Sequence, residues 1–134
     1  MVDANIIIFA GLFPESNVGI VLSHIVNNHE LVLCQHTLDE LENVFKNKFP
    51  KRIEHFKKFI DELKFDLVEY RAENYDKYPK MRDIDDLPLL VCAIETKVNL
   101  LVTGDKDFDE IIIETPKIMK PRKYIEEYII KPTC

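Results

Sequence analysis

The stretch that most constrains the fold runs from Asn99 to Phe108. Its apolar run, Leu100–Val102, has no helical periodicity, which predicts a strand that is buried on both faces of a parallel sheet. The strand ends at Thr103-Gly104, and the acids Asp105 and Asp107 follow at once. Because ligands of open α/β sheets bind at the carboxyl ends of the strands, these acids are candidates for a functional site.

The rest of the chain repeats this alternation of apolar strands and amphipathic helices. Further strands are predicted at the start of the chain up to Asp3 and at residues 30–34, 65–68 and 117–120. Helices are predicted at residues 18–28, 37–45, 53–63 and 121–129, and two more are predicted to begin at residues 86 and 107. Strands that alternate with helices predict an α/β protein, a three-layer α/β/α sandwich around a central parallel sheet. The length of 134 residues suits a single domain spanning residues 1–134.

Two of the predicted helices begin with capping patterns. Thr37 is followed three residues later by Glu40, which is the spacing of a capping box. Asp107 and Glu110 form a similar pair after the strand at Leu100–Val102. We therefore expect helices to start at Thr37 and Asp107.

Composition narrows the class of protein. No apolar run approaches the roughly 20 residues of a membrane span, and the start of the chain lacks the pattern of a signal peptide. We therefore expect a cytoplasmic protein that does not associate with a membrane. The cysteines Cys34, Cys92 and Cys134 indicate neither a disulfide framework nor a zinc site. The net charge of −6 argues against a passive nucleic-acid binder. Positive charge is nevertheless concentrated between residues 46 and 58, in Lys46, Lys48, Lys51, Arg52, Lys57 and Lys58.

Four carboxylates are predicted to meet at one edge of the sheet. Asp3 and Asp105 lie at strand ends, whereas Glu40 and Asp86 lie in the first turns of helices. Strand carboxyl ends and the helix starts that follow them share one edge in a parallel sheet with right-handed crossovers. Clustered carboxylates repel unless a cation compensates, and the natural compensator is an oxygen-seeking ion such as Mg²⁺ or Mn²⁺. Such an ion generates hydroxide from bound water and neutralises phosphate charge, which suits phosphodiester hydrolysis.

At this point the sequence resembles the PIN domain, a small metal-dependent ribonuclease fold. The matching segments are Asp3-Ala4-Asn5, Thr37–Leu41, Asp83–Asp86 and Val102–Phe108, and the segment 120–125 is similar to one in the toxins of toxin–antitoxin operons. The resemblance implies a VapC-like endoribonuclease of a type II toxin–antitoxin system, which cleaves RNA through a metal-activated water. It also implies a homodimer and a cognate antitoxin partner.

The resemblance assigns the family's four catalytic acids to Asp3, Glu40, Asp86 and Asp105. Asp3, Asp86 and Asp105 are the expected metal ligands, with Glu40 and Asp107 as further candidates, and Asp83 or Asp85 as alternatives to Asp86. Asn5 and Thr103 match polar residues that orient the first and fourth acids. The basic residues Lys46, Lys48, Lys51 and Arg52 are candidates for RNA binding, with a solvated surface as the alternative. No histidine joins the set, since His24, His29, His36 and His55 are scattered along the chain.

Two points stay open at the level of the sequence. Only two residues precede Asp3, so either the first strand is short or the natural start lies upstream. A non-catalytic RNA- or protein-binding module on the same fold is the main alternative function, which the net charge and the short strand favour. A phosphoacceptor receiver domain ranks lower, because Lys117 and Lys120 are poorly placed for it.

Overall fold

Helices and short parallel strands alternate along the chain, as the sequence predicts. The computed structural model describes residues 1–70 and 74–130. The helices are α1 (Ala4–Leu12), α2 (Asn17–Asn28), α3 (Gln35–Lys48), α4 (Ile53–Glu62), α5 (Leu87–Glu95) and α6 (Pro121–Tyr124), which continues as a π-helical turn at Ile125–Ile129. The strands are β1 (Val32–Cys34), β2 (Asp66–Val68), β3 (Leu100–Val102) and β4 (Lys117–Met119), and 3₁₀ turns occupy Pro50–Arg52, Ile84–Asp86 and Lys106–Phe108.

The strands form two parallel pairs. β1 pairs with β2, and β3 pairs with β4. The predicted first strand is reduced to the segment 1–3, which runs parallel to β3 with a single bridge between Val2 and Val102. The Val102 amide donates to the Met1 carbonyl at 2.9 Å, and the Asp3 amide donates to the Val102 carbonyl at 3.4 Å. This short segment nevertheless delivers Asp3 to the carboxyl end of β3.

Helices cover both faces of these strands, which confirms the predicted α/β architecture. Successive side chains of a strand point to opposite faces, and here Leu33 and Val102 enter one buried apolar cluster whereas Cys34 and Leu101 enter another. The first cluster contains the apolar side chains of α1 and α2, and the second is built around α5. Helix α1 is mostly apolar, and six of its nine residues are buried, whereas Asn5 and Phe9 are exposed.

Both predicted capping pairs are wrong. Strand β1 runs directly into α3, which begins at Gln35, so Thr37 lies inside the helix with 1% of its surface exposed. Glu40 is therefore not engaged in a capping box. At the other site Asp105 caps the 3₁₀ turn, because its Oδ1 atom accepts from the Asp107 amide at 2.9 Å. The cap positions are Cys34 and Asp105, so the chain turns earlier than the side-chain pattern suggested in both cases.

Several other expectations concern the chain outside the site. Within the described residues, no single helix is long and apolar enough to span a membrane; α1 and α2 would meet that criterion only as a pair, and they are bent by 108°. Cys34 and Cys92 are buried free thiols, as predicted for core residues, and Cys134 lies outside the described residues. Ser16 caps α2 by accepting from the Gly19 amide at 3.2 Å.

Candidate metal centre

Asp3 is the most buried acid of the candidate site, with 8% of its surface exposed. It caps α1, since its Oδ1 atom accepts from the Ile6 amide at 3.0 Å, and its Oδ2 atom accepts a short hydrogen bond from the Thr103 hydroxyl. Burial raises the pKa of Asp3, the two hydrogen bonds oppose the rise, and the charges of Asp105 and Glu40 add to it. The protein thus places a carboxylate where its charge is costly without a cation.

Thr103 connects Asp3 to Asp105. Its hydroxyl donates to Asp3 and accepts from the Asp105 amide at 3.1 Å. The Asp105 carboxylate in turn accepts from the Asp107 amide. A continuous chain of hydrogen bonds therefore fixes the turn that follows β3, and Asp105 is half-buried at the predicted edge of the sheet.

Asp86 extends the acidic cluster from the other side. It directly precedes α5, but its side chain makes no capping hydrogen bond to that helix. The 3₁₀ turn at Ile84–Asp86 is capped by Asp83, whose Oδ1 atom accepts from the Asp85 amide. Burial raises the pKa of Asp86 to about 7, and the neighbouring carboxyl group of Asp105, followed by those of Asp83 and Asp107, contributes to the rise. Its Oδ2 atom is buried and has no hydrogen-bond partner among the described residues.

The acids offer a set of oxygen ligands that fits a hard divalent cation. One carboxylate oxygen each from Asp83, Asp86 and Asp107 lies within 4.8 Å of the others. Asp105 contacts Asp86, and Asp3 lies close enough to Asp105 and Glu40 for their charges to raise its pKa. Oxygen-only ligands are typical of Mg²⁺ or Mn²⁺ rather than zinc. The unpartnered Asp86 oxygen is the atom that such an ion would satisfy.

Two residues of this region were undervalued by the sequence reasoning. Asp83 entered only as an alternative to Asp86, yet both contribute to the closest group of ligand oxygens. His36 was set aside as scattered, but its Nε2 atom lies 2.6 Å from Oε1 of Glu40. The spacing of four residues between His36 and Glu40 on one helix was the signal that could have found this pair.

The remaining predicted residues lie away from the acids. Asn5 is exposed on α1 and makes no hydrogen bond to Asp3 in the described ranges, so the Ile6 amide and Thr103 orient Asp3 instead. The basic residues Lys46, Lys48, Lys51 and Arg52 are exposed at and after the C-terminal end of α3. Because a helix rises about 1.5 Å per residue, Lys46 lies about 9 Å along the axis from Glu40.

The fold and the site define a class: small α/β domains with a carboxylate cluster at the strand ends. Residues 1–107 match the family described as the PIN domain, and the chain belongs to this family. A chain in the crystal structure of VapBC2 from Rickettsia felis, bound to a DNA fragment from their promoter, has the same fold with a TM-score of 0.66. It is 18% identical, and the alignment covers 89% of this chain and 95% of that one. No curated protein sequence matches the chain.

Proposed function

We propose that the protein is a cytoplasmic, Mg²⁺- or Mn²⁺-dependent endoribonuclease. The observation that carries the proposal is the acidic cluster itself: Asp3, Asp86 and Asp105 approach from separate segments of the chain, and one buried oxygen of Asp86 is left without a partner. A fold gains no stability from like charges held together. Membership of the PIN domain family and the likeness to a structure of VapBC2 support the same conclusion.

The protein's part in the reaction is to hold ligands and to orient them. Asp3, Asp86 and Asp105 would hold the ion, with Glu40, Asp83 and Asp107 able to complete the shell from the same edge. When bound, the ion supplies an activated water and neutralises charge on the phosphate. Thr103 fixes the Asp3 carboxylate and the Asp105 backbone together, so two of the acids cannot move independently. Helix α1 directs its amino-terminal dipole at Asp3, which stabilises the carboxylate in its charged form.

The proposal is tested by incubating a mixed RNA substrate with the protein in Mg²⁺, Mn²⁺ or EDTA. We expect cleavage that requires the metal and falls by at least about 100-fold in Asp3→Asn and in Asp105→Asn, the scale of losing an electrostatic contact to the transition state. Asp61→Asn, which removes an exposed acid of α4 far along the chain, is the matched control and should cleave normally. Equal cleavage by all four proteins would overturn the proposal, and RNA binding without turnover would favour a binding module.

We further propose that the basic residues at the end of α3 and in the following turn bind the RNA backbone. Lys48, Lys51 and Arg52 are exposed and precede α4, so their positive charges are accessible to RNA phosphates. Replacing all three by alanine should raise KM, leave kcat unchanged and make RNA affinity less dependent on salt. Replacing Lys117, Arg122 and Lys123 by alanine removes the same charge at the other end of the chain and is the control. An unchanged KM would show that these residues form only a solvated surface.

We also propose that the protein acts as a toxin, forms a homodimer and is inhibited by a cognate antitoxin. The resemblance of the segment 120–125 to such toxins and the structural likeness to a VapBC2 assembly support this. Light scattering on the purified chain should give twice the mass of 15.8 kDa. Expression should arrest growth, and the Asp105→Asn variant should not. A monomeric protein would refute the dimer, and growth that continues under active wild-type enzyme would refute the toxin role.

A further inference from the structure

His36 lies between two parts of the acidic site that are distant in sequence. It is in the first turn of α3, and its Nε2 atom lies 2.6 Å from Oε1 of Glu40 on the next turn. The contact is a close polar approach of the two side chains, in which the imidazole carries a charge only when it is protonated. The backbone of Asp85, in the turn that carries Asp83 and Asp86, lies near the same imidazole. His36 is therefore placed between α3 and the acidic turn.

Helix stability does not explain why this pair exists. A solvent-exposed ion pair four residues apart on a helix contributes little to stability. The arrangement here is the less favourable one, because the basic partner precedes the acidic partner and lies at the positive end of the helix dipole. The side chain of His36 is nevertheless only 33% exposed, so the protein keeps it in a constrained position.

Glu40 is the acid that most needs an external constraint. Asp3 and Asp105 are held by backbone amides and by Thr103, whereas the Glu40 side chain is 48% exposed and His36 is its only recorded polar contact in the described ranges. A long carboxylate side chain that is free in solvent loses conformational entropy when it is used as a ligand. A neighbour that fixes its orientation beforehand removes part of this cost.

We propose that His36 is a positioning residue, which holds the Glu40 carboxylate toward the metal centre. The inference rests on the proposed metal-dependent function and adds to it a residue outside the four acids. Groups that orient metal ligands typically contribute about 10- to 100-fold to metal affinity.

The test is a set of Mn²⁺ titrations by calorimetry, which do not depend on RNA cleavage. His36→Phe should weaken Mn²⁺ binding about 10-fold. His36→Gln keeps a donor near the position of Nε2 and should recover most of the affinity, whereas His36→Asn places its donor near Nδ1 and should not. His55→Phe, on the exposed face of α4, is the matched control and should bind as the wild type does. The free energy of unfolding in EDTA should be unchanged in all of them, which separates positioning from folding.

A double-mutant cycle shows whether His36 affects Mn²⁺ binding through Glu40. If His36 acts through Glu40, then His36→Phe should cause no further loss of Mn²⁺ affinity once Glu40→Gln is present. Equal losses in both backgrounds, or wild-type affinity in His36→Phe, would overturn the proposal. A wild-type protein that binds Mn²⁺ but cleaves no RNA would refute only the proposed nuclease, and the affinities would still decide the role of His36. A wild-type protein that binds no Mn²⁺ would refute both.

Discussion

Replacing Thr103 by valine should cost more stability than the loss of one hydroxyl suggests, because this hydroxyl serves two other groups. Thr103 is 1% exposed, donates to the buried Asp3 carboxylate and accepts from the Asp105 amide. Valine has nearly the same shape, so no cavity forms. What changes is that a buried carboxylate oxygen loses its donor and a backbone amide loses its acceptor.

The magnitude follows from these two losses. A hydrogen bond to a charged group contributes about 1.5–3 kcal/mol, and a buried group left unsatisfied costs about 1–3 kcal/mol. Since Asp3 can be protonated in response, we expect Thr103→Val to lower the free energy of unfolding by about 2–3 kcal/mol at neutral pH. The loss should be smaller at pH 4, because the lost hydrogen bond favours the charged form of Asp3 and that form is depleted in acid.

Urea denaturation in EDTA at the two pH values measures this effect, with Thr103→Ser as the matched control that keeps the hydroxyl. Thr103→Ser should retain most of the stability, apart from the loss of one buried methyl group. A Thr103→Val protein within 0.5 kcal/mol of the wild type at neutral pH would refute the reasoning. So would a loss that is larger in acid than at neutral pH.

Three further predictions concern charge and space. In the metal-free protein the free energy of unfolding should fall as pH rises from about 4 to about 7, because Asp86 binds a proton more tightly in the folded state; urea titrations should show this slope, and Mn²⁺ should reduce it. Asp86→Asn should raise stability at pH 7.5 in EDTA while weakening Mn²⁺ binding, since it removes repulsion from Asp105; a destabilised variant would contradict this. Gly19→Ala should lower the free energy of unfolding by about 2 kcal/mol or more, because the added Cβ would lie 2.2 Å from the Pro14 carbonyl oxygen. Gly104→Ala is the control, since its Cβ meets open space, and thermal denaturation should show no change in its stability.

The architecture could be predicted because it depends on long-range apolar patterns. Leu100–Val102 and the runs predicted as strands at 30–34, 65–68 and 117–120 contain the strands of the structure, and the helix predicted from residue 18 is α2, which begins at Asn17. The convergence of Asp3 and Asp105 followed from the rule that parallel strands end at one edge. These inferences needed only to know whether each residue is apolar or polar and roughly where it lies in the chain.

The errors are of a different kind, since they depend on the exact residue at which an element begins. Thr37 and Asp107 both have the side chains of helix caps, but the turns start earlier, at Cys34 and Asp105. Local patterns offer several compatible starting points, and tertiary contacts choose among them. The spacing of four residues between His36 and Glu40 is visible in the sequence, but the position of His36 beside the Asp83–Asp86 turn is a tertiary relation that no sequence spacing reveals.

The most direct test of the account is a crystal structure of the protein grown with Mn²⁺, with data collected at the manganese absorption edge. We expect an anomalous difference peak in contact with carboxylate oxygens of Asp86 and Asp105, with Asp3 among the ligands of the same ion. The peak should be absent from crystals of Asp105→Asn grown in the same solution. No peak among these acids at a saturating Mn²⁺ concentration, or a peak bound only by groups elsewhere on the surface, would contradict the central claim.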